Sequence, residues 1–121
     1  MLLGLRTAIY PVTDLAAARA WYTAVVGHEP YFDQPFYVGF EVGGFELGLV
    51  PDGSPGTDGP QPLWGVADAG VALERLLAHG AEPLEPVQDV GGGIRVAAVK
   101  DPFGNRLGII ENPQFDPGKL R

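Results

Sequence analysis

The sequence contains no cysteine among its 121 residues. It therefore forms no disulfide bonds, offers no thiolate ligands to a metal and has no cysteine nucleophile. Serine is almost as scarce, because Ser54 is the only one. Ser54 lies in a loop-forming segment with no nucleophile-elbow motif and no neighbouring histidine, so a serine-hydrolase arrangement is excluded as well.

Positive charge is also scarce, with 8 lysines and arginines against 15 acidic residues and a net charge of −7. Binding to nucleic acid requires clustered cations, and so does binding to an anionic membrane surface. We therefore expect neither partner. Long apolar runs are absent too, since no segment reaches the roughly 20 residues that span a bilayer. No charged region precedes the apolar start, so we expect no signal peptide and a cytoplasmic protein.

Glycine and proline are abundant, with 18 and 12 residues, while 45% of the chain is hydrophobic. The glycines separate short apolar runs, which is typical of turns between strands. Apolar residues spaced as on one helical face predict a helix that begins after Thr13 or Asp14 and ends at Gly27. The same spacing predicts a second helix over 69–79, ended by Gly80. The other apolar runs predict strands at 3–12, 28–33, 36–42, 45–50, 63–66, 82–90, 94–100 and 106–111.

An internal repeat is the most informative global feature of the sequence. Residues 12–14 (VTD) match 66–68 (VAD), and residues 47–50 (LGLV) match 107–110 (LGII). Both halves have the order strand, helix and three strands. We therefore predict an α+β fold of two βαβββ modules in tandem, forming a curved mixed sheet around a central cleft. The whole chain, 1–121, is one domain, with module one at about 3–50, a loop at 51–60 and module two at about 62–112.

Three segments carry a resemblance to a known family: VTDL at 12–15, WYTAVVG at 21–27 and DPFGNRLGIIE at 101–111. They resemble the vicinal oxygen chelate superfamily, which includes glyoxalase I, the bleomycin-resistance proteins and the extradiol dioxygenases. The resemblance implies paired βαβββ modules and usually a homodimer. It also implies a cleft in which a divalent metal, where present, is held by up to four side chains from the first and last strands of each module.

The positions that the resemblance assigns to metal ligands are poorly equipped for that role. They are Thr7, a place near Pro62, Gly108, and either Glu46 or Gly48. At most one of them carries a carboxylate, whereas a transition metal needs three or four good donors. His28 and His79 fall at helix ends, and we interpret both as surface residues. We therefore expect no metal and no cofactor.

Strand alternation predicts which side chains face the cleft. The expected inward set is Thr7, Ile9, Glu46, Gly48, Trp64, Arg106 and Gly108, while Leu47, Leu49, Leu107 and Ile109 pack beneath the helices. The two glycines are expected to leave open space. The candidate ligand-binding residues are Thr7, Ile9, Glu46, Trp64 and Arg106, a mostly apolar set with one polar group of each sign.

Alternatives remain at several of these positions. Trp64 is equally consistent with a core residue, and Glu46 and Arg106 with an ordinary ion pair. Phe36 and Tyr37 could close the mouth of the cleft. Arg95 could reach an acidic ligand or pair with a surface carboxylate such as Asp89.

The favoured function is metal-free binding of a small aromatic or flat molecule. The alternative is an enzyme of the same superfamily, a lyase, isomerase or dioxygenase type that uses a metal or employs Glu46 as a base. A third reading is an interaction module whose dimer is the function.

Overall fold

The computed structural model describes residues 6–59 and 61–119. The predicted start of the first strand, at residues 3–5, lies outside the described residues. Both predicted helices and all eight predicted strands are present. Their bounds follow the predicted ones closely except for the strand predicted at 28–33, which forms only at Phe32–Gln34. In chain order the elements are β1 (Thr7–Pro11), α1 (Leu15–Val26), β2 (Phe32–Gln34), β3 (Tyr37–Val42), β4 (Phe45–Val50), β5 (Leu63–Gly65), α2 (Ala69–Ala78), β6 (Glu82–Asp89), β7 (Arg95–Lys100) and β8 (Arg106–Glu111).

The chain forms two compact units. The first unit comprises Arg6–Gly56 with Phe103–Asn105, and the second comprises Thr57–Pro102 with the chain from Arg106 onward. Each unit has one four-stranded mixed sheet, in the order β1-β4-β3-β2 in the first and β5-β8-β7-β6 in the second. In both sheets the first and last strands of the module pair in parallel, and the other pairs are antiparallel. The predicted α+β fold of two βαβββ modules is confirmed.

The two helices begin in the same way. The Asp14 carboxylate accepts a hydrogen bond from the Ala17 amide at 3.0 Å, and the Asp68 carboxylate accepts one from the Val71 amide at 3.1 Å. Each aspartate satisfies an amide that has no partner within the helix. At the other end Gly27 and Gly80 both take φ +94°, the left-handed conformation that ends a helix at little cost in glycine. Neither helix is long and apolar enough to cross a membrane.

The core of each unit lies between its helix and one face of its sheet. Leu47 and Leu49 are fully buried in the first unit, and Leu107 and Ile109 are buried in the second. Tyr22 of α1 is buried over the first of these pairs. The predicted helix-facing set is therefore confirmed. Burial of a leucine or isoleucine side chain contributes about 1.5–3 kcal/mol, so these positions stabilise the sheets against their helices.

The turn after β7 is pinned by one polar side chain. Asn105 is buried, its amide nitrogen donates to the Pro11 carbonyl oxygen at 2.6 Å, and its amide oxygen accepts from the Gly56 amide at 2.9 Å. Gly104 takes φ +91°, as a tight turn requires. This geometry explains the Gly-Asn pair in the turn, because an apolar residue at 105 would remove both hydrogen bonds, to the Pro11 carbonyl oxygen and from the Gly56 amide.

Glycines in the strand centres do not open space, contrary to expectation. A Cβ atom at Gly48 would lie 2.7 Å from Cζ of Tyr37, so the tyrosine ring already lies over that glycine. A Cβ atom at Gly108 would lie 2.7 Å from Cδ2 of Leu63. The missing side chains are replaced by neighbours, because a folded sheet face tolerates few voids.

Arg95 is committed to the start of α2. Its Nη2 lies 2.5 Å from Oε1 of Glu111 and 3.4 Å from Oδ1 of Asp68, and the same Glu111 oxygen accepts a hydrogen bond from the Ala69 amide at 2.9 Å. Of the two alternatives for Arg95, pairing with a surface carboxylate is therefore found, with Glu111 and Asp68 as its ion-pair partners, while Asp89 lies opposite Arg95 in the pairing of β6 with β7. The Arg95 guanidinium first, and then the Ala69 amide, hold the pKa of Glu111 below its ordinary value of 4.5.

Replacing Gly48 with alanine should destabilise the first unit. The new methyl group must displace the Tyr37 ring, and we expect a loss of about 1–3 kcal/mol in the free energy of unfolding. Gly65→Ala is the matched control, because a Cβ atom at that strand position meets nothing within 4 Å. It should change stability by less than about 0.5 kcal/mol. Urea unfolding of both variants measures the difference, and equal midpoints would contradict the packing of Tyr37 on Gly48.

Glu111→Gln should reveal a pH-dependent contribution to stability. Because folding lowers the pKa of Glu111, its contribution is full above the ordinary value of 4.5 and is lost as the pH falls through the lowered pKa. The variant should therefore have a lower urea midpoint than the parent at pH 7, with a gap that closes in acid. A gap that is constant between pH 7 and pH 3 would show that the carboxylate charge is not involved.

Candidate functional site

Glu46 stands at the centre of the candidate site. It lies on β4, paired with Thr7 of β1 on one side and with Glu41 of β3 on the other. Paired residues in neighbouring strands point to the same face of a sheet. This is the face opposite the buried Leu47 and Leu49, because side chains alternate along a strand.

Two tyrosine hydroxyl groups hold the Glu46 carboxylate. Tyr31 donates to Oε1 and Tyr37 donates to Oε2, so each carboxylate oxygen has its own phenol. The hydrogen bond to Glu46 is the main cause that raises the pKa of Tyr31, and burial followed by the same kind of hydrogen bond raises the pKa of Tyr37 well above its ordinary value of 10. Both phenols therefore remain protonated donors across the physiological range.

Backbone pairing explains how the two tyrosines reach one carboxylate. The Tyr31 amide donates to the Gly39 carbonyl oxygen at 3.0 Å, which fixes Tyr31 just before β2. Tyr37 begins β3, and its ring lies 6.0 Å from that of Phe32 in an edge-on arrangement. The hairpin of β2 and β3 thus presents both rings on the face that carries Glu46.

An open concavity of about 430 Å³ adjoins this cluster. It combines two aromatic rings, two carboxylates, one guanidinium and two hydroxyl groups, all from the first unit. Its lining residues are Arg6, Thr7, Tyr31, Glu41, Gly44, Phe45 and Glu46. Such a surface can hold a small organic molecule against apolar walls and orient it through a few polar groups.

A second concavity of about 380 Å³ lies beside the start of α1 in the same unit. Its cation is already engaged, because Arg19 pairs with Asp33 at 2.6 Å and with Glu29 at 2.8 Å. It offers no aromatic wall, since its lining is Leu15, Ala16, Arg19, Asp33, Gln34, Pro35 and Val38. We therefore place the candidate site at Glu46.

Three of the sequence-derived candidates share the Glu46 face. Thr7 and Glu46 both line the first concavity. Ile9 pairs with Gly48 on the same face and is 55% exposed, but it lies outside the set that lines the concavity. The other two candidates, Trp64 and Arg106, belong to the second unit.

The expected orientation of Trp64 is wrong. In the parallel pairing of β5 with β8, Trp64 is opposite Ile109, whereas Leu63 is opposite Gly108. Trp64 therefore shares the helix-facing side with the buried Ile109, and Leu63 takes the position over the glycine. A shift of one residue in register moves every side chain of a strand to the other face. The alternative that Trp64 is a core residue agrees better with this position, where Trp64 is half-buried.

Arg106 does lie on the Gly108 face, where it is engaged by a carboxylate of its own unit. Its Nη2 lies 2.9 Å from Oε2 of Glu85, and its side chain is only 11% exposed. Glu46 accepts hydrogen bonds from two tyrosines of the first unit. Each of these two residues thus has partners within its own unit.

The side chains at the positions that the resemblance assigns to metal ligands do not fit a metal ion. Gly108 has no side chain, Pro62 has no donor in its side chain, and both oxygens of Glu46 accept hydrogen bonds from tyrosines. Within residues 6–59 and 61–119, no three histidine, aspartate or glutamate side chains come together as a possible metal site. His28 and His79 are both exposed, as expected for surface residues. We derive no metal-dependent step.

Sequence reasoning missed the central feature of this site. It assigned Tyr37 only to the mouth of a cleft and did not consider Tyr31, Glu41 or Phe45. The available signal for the two tyrosines was the pair of glycines at 39 and 48, which lie opposite each other in β3 and β4. Without Cβ atoms there, aromatic rings from nearby positions can pack on the sheet. That signal requires the pairing of β3 with β4, and the two-residue turn at Gly43 and Gly44 would have supplied its register.

Comparisons with known proteins agree with this architecture. Residues 4–109 match the family model described as Glyoxalase/Bleomycin resistance protein/Dioxygenase superfamily. No curated protein matches the sequence.

Solved structures show the same fold. The structure of lactoylglutathione lyase from Agrobacterium tumefaciens is 21% identical, with a TM-score of 0.77, and the match covers 96% of this chain and 100% of that one. A superfamily member from Sphaerobacter thermophilus is 22% identical, with a TM-score of 0.75 and coverage of 93% and 99%. A glyoxalase-related enzyme from Fulvimarina pelagi is 22% identical, with a TM-score of 0.74 and coverage of 93% and 90%. At these sequence identities the solved structures show the fold alone. The family model matches residues 4–109, and this chain therefore belongs to the glyoxalase/bleomycin resistance protein/dioxygenase superfamily.

Proposed function

We propose that the protein binds a small, flat organic molecule at the concavity beside Glu46, without a metal ion. The observation that carries this proposal is the combination of an aromatic-walled concavity with a carboxylate that two tyrosines hold in place. A carboxylate fixed in this way is a directional acceptor on an otherwise largely apolar surface. Ligand sites in proteins typically have this composition.

Phe45 supplies apolar contact area in the wall of the concavity, with 37% of its surface exposed. The Tyr31 ring, 63% exposed, occupies a second position where a flat ring fits beside Glu46. Covering exposed aromatic rings with a ligand removes apolar surface from water, which is favourable by roughly 25 cal/mol per Å² of apolar area. A flat molecule can cover such rings with a large area for its size, so shape is the main source of affinity in this proposal.

Recognition without a metal follows from the donor set. Lewis-acid chemistry on adjacent substrate oxygens needs an ion held by several side chains. In this chain Glu46 is the one carboxylate at the positions that the resemblance assigns to metal ligands, and the glycine and proline at other such positions supply no side-chain donor. Binding through shape and hydrogen bonds uses the residues as they stand.

Proton transfer by Glu46 is a second candidate function. It is supported by the position of the carboxylate in the wall of the concavity, where two phenols orient its oxygens by hydrogen bonds. A lyase or isomerase that works in this way would return a chemically changed molecule. A binding protein would return the molecule intact, so product analysis separates the two functions.

Protein incubated with a cell extract and then washed should retain an aromatic or other planar compound, detected by mass spectrometry after denaturation. Metal analysis of the same preparation, purified without chelator, should give well under one ion per chain. Conversion of the retained compound on re-incubation would favour the second candidate. Stoichiometric zinc, nickel, iron or manganese that is needed for retention would contradict metal-free binding.

Phe45→Ala should weaken retention of that compound by about tenfold, since it removes one apolar wall of the concavity. Phe115→Ala is the matched control, because Phe115 is also exposed, at 58%, but is not among the residues that line the concavity. Titration calorimetry with the identified compound measures both variants. Equal affinities of the two variants would place the compound elsewhere on the protein.

A further inference from the structure

We propose that Tyr31 is a displaceable stand-in for the ligand, and that the ligand is a planar molecule whose hydroxyl group replaces the Tyr31 hydroxyl on Glu46. This inference rests on the proposed function and adds to it the chemical class of the ligand and the residue that yields to it.

The floor beneath the two tyrosine rings consists of two glycines, Gly39 under both rings and Gly48 under Tyr37. Gly39 and Gly48 are opposite each other in β3 and β4, on the Glu46 face of the sheet. A Cβ atom at Gly39 would lie 3.3 Å from Cε1 of Tyr31 and 3.1 Å from Cε1 of Tyr37. Both rings therefore lie in contact with backbone, where any other residue would hold them away. A flat aromatic ring is the shape that this floor accommodates.

The two tyrosines differ in how firmly they are held. Tyr37 is half-buried, lies over Gly48 and contacts the ring of Phe32. Tyr31 is 63% exposed and lines the concavity. Its backbone is fixed by the hydrogen bond to Gly39, so rotation of the side chain alone can move the ring away. Tyr31 is the member of the pair that can leave without unfolding any strand.

The chemistry of the vacated position defines the ligand. When Tyr31 leaves, Oε1 of Glu46 loses its donor while Oε2 keeps Tyr37. An ionised carboxylate only accepts hydrogen bonds, so the incoming molecule must donate one. A hydroxyl group on a planar ring reproduces both features of the group it replaces, the flat face over Gly39 and the donor to Oε1. A planar molecule without a donor reproduces only the first.

The test uses 7-hydroxycoumarin and 7-methoxycoumarin at pH 6, two planar probes that differ in the presence of the hydroxyl donor. Binding is followed through the backbone amide signals of Gly39 and Gly48 in NMR titrations. The parent protein should bind 7-hydroxycoumarin about tenfold more tightly than 7-methoxycoumarin. This is the difference expected when the methoxy probe leaves Oε1 of Glu46 with only water as a hydrogen-bond donor. Tyr31→Phe keeps the ring but releases Oε1, and should raise the affinity for the hydroxyl probe about three- to tenfold.

Tyr31→Ala also clears the floor and should raise the affinity for both probes. Tyr10→Phe is the matched control, because it removes a tyrosine hydroxyl group on the helix side of the same sheet, where Tyr10 is 5% exposed. It should leave both affinities unchanged.

Weaker binding of both probes by Tyr31→Ala would overturn the proposal, because Tyr31 would then be a fixed wall of the site. Equal binding of the two probes by the parent would overturn it as well. If neither probe moves the Gly39 and Gly48 signals but the compound retained from extract does, the hydroxyl inference fails and the proposed function stands. If no organic compound moves these signals, both fail together.

Discussion

The pairing of Gly39 with Gly48 is the constraint on which the candidate site depends. Because neither residue has a Cβ atom, two tyrosine rings lie directly on the backbone of β3 and β4. From that position both hydroxyl groups reach the carboxylate of Glu46. A methyl group at Gly48 would lift the Tyr37 ring, which would leave a partly buried phenol and a carboxylate oxygen with poorer partners.

The two units share a framework but use their sheets differently. Both begin their helices with an aspartate and end them before a left-handed glycine, and both bury aliphatic residues beneath the helix. On the opposite face the first unit carries tyrosines and Glu46. The second carries Leu63 over Gly108 and the ion pair of Arg106 with Glu85. The helix-facing side fixes the fold, so the other side was free to diverge.

Membership of the superfamily does not by itself assign a chemistry to this chain. The positions that the resemblance assigns to metal ligands hold residues without side-chain donors, apart from Thr7 and Glu46. Glu46 accepts hydrogen bonds from two phenols, which orient its carboxylate on an open face of the sheet. The chemistry of the site therefore has to be read from these side chains, and it favours recognition of organic molecules through shape and hydrogen bonding.

The sequence by itself determined the secondary structure, the duplication and the helix-facing core. Local rules govern these features: the spacing of apolar residues, aspartate caps, glycine at helix ends and a two-residue glycine turn between β3 and β4. Only the tertiary structure decided the rest. The parallel register of β5 against β8 is set by contacts between strands far apart in the chain. It placed Trp64 opposite Ile109, on the face of the sheet opposite to the expected one. The meeting of Tyr31, Tyr37 and Glu46 likewise requires three strands in one sheet, and no local pattern contains that information.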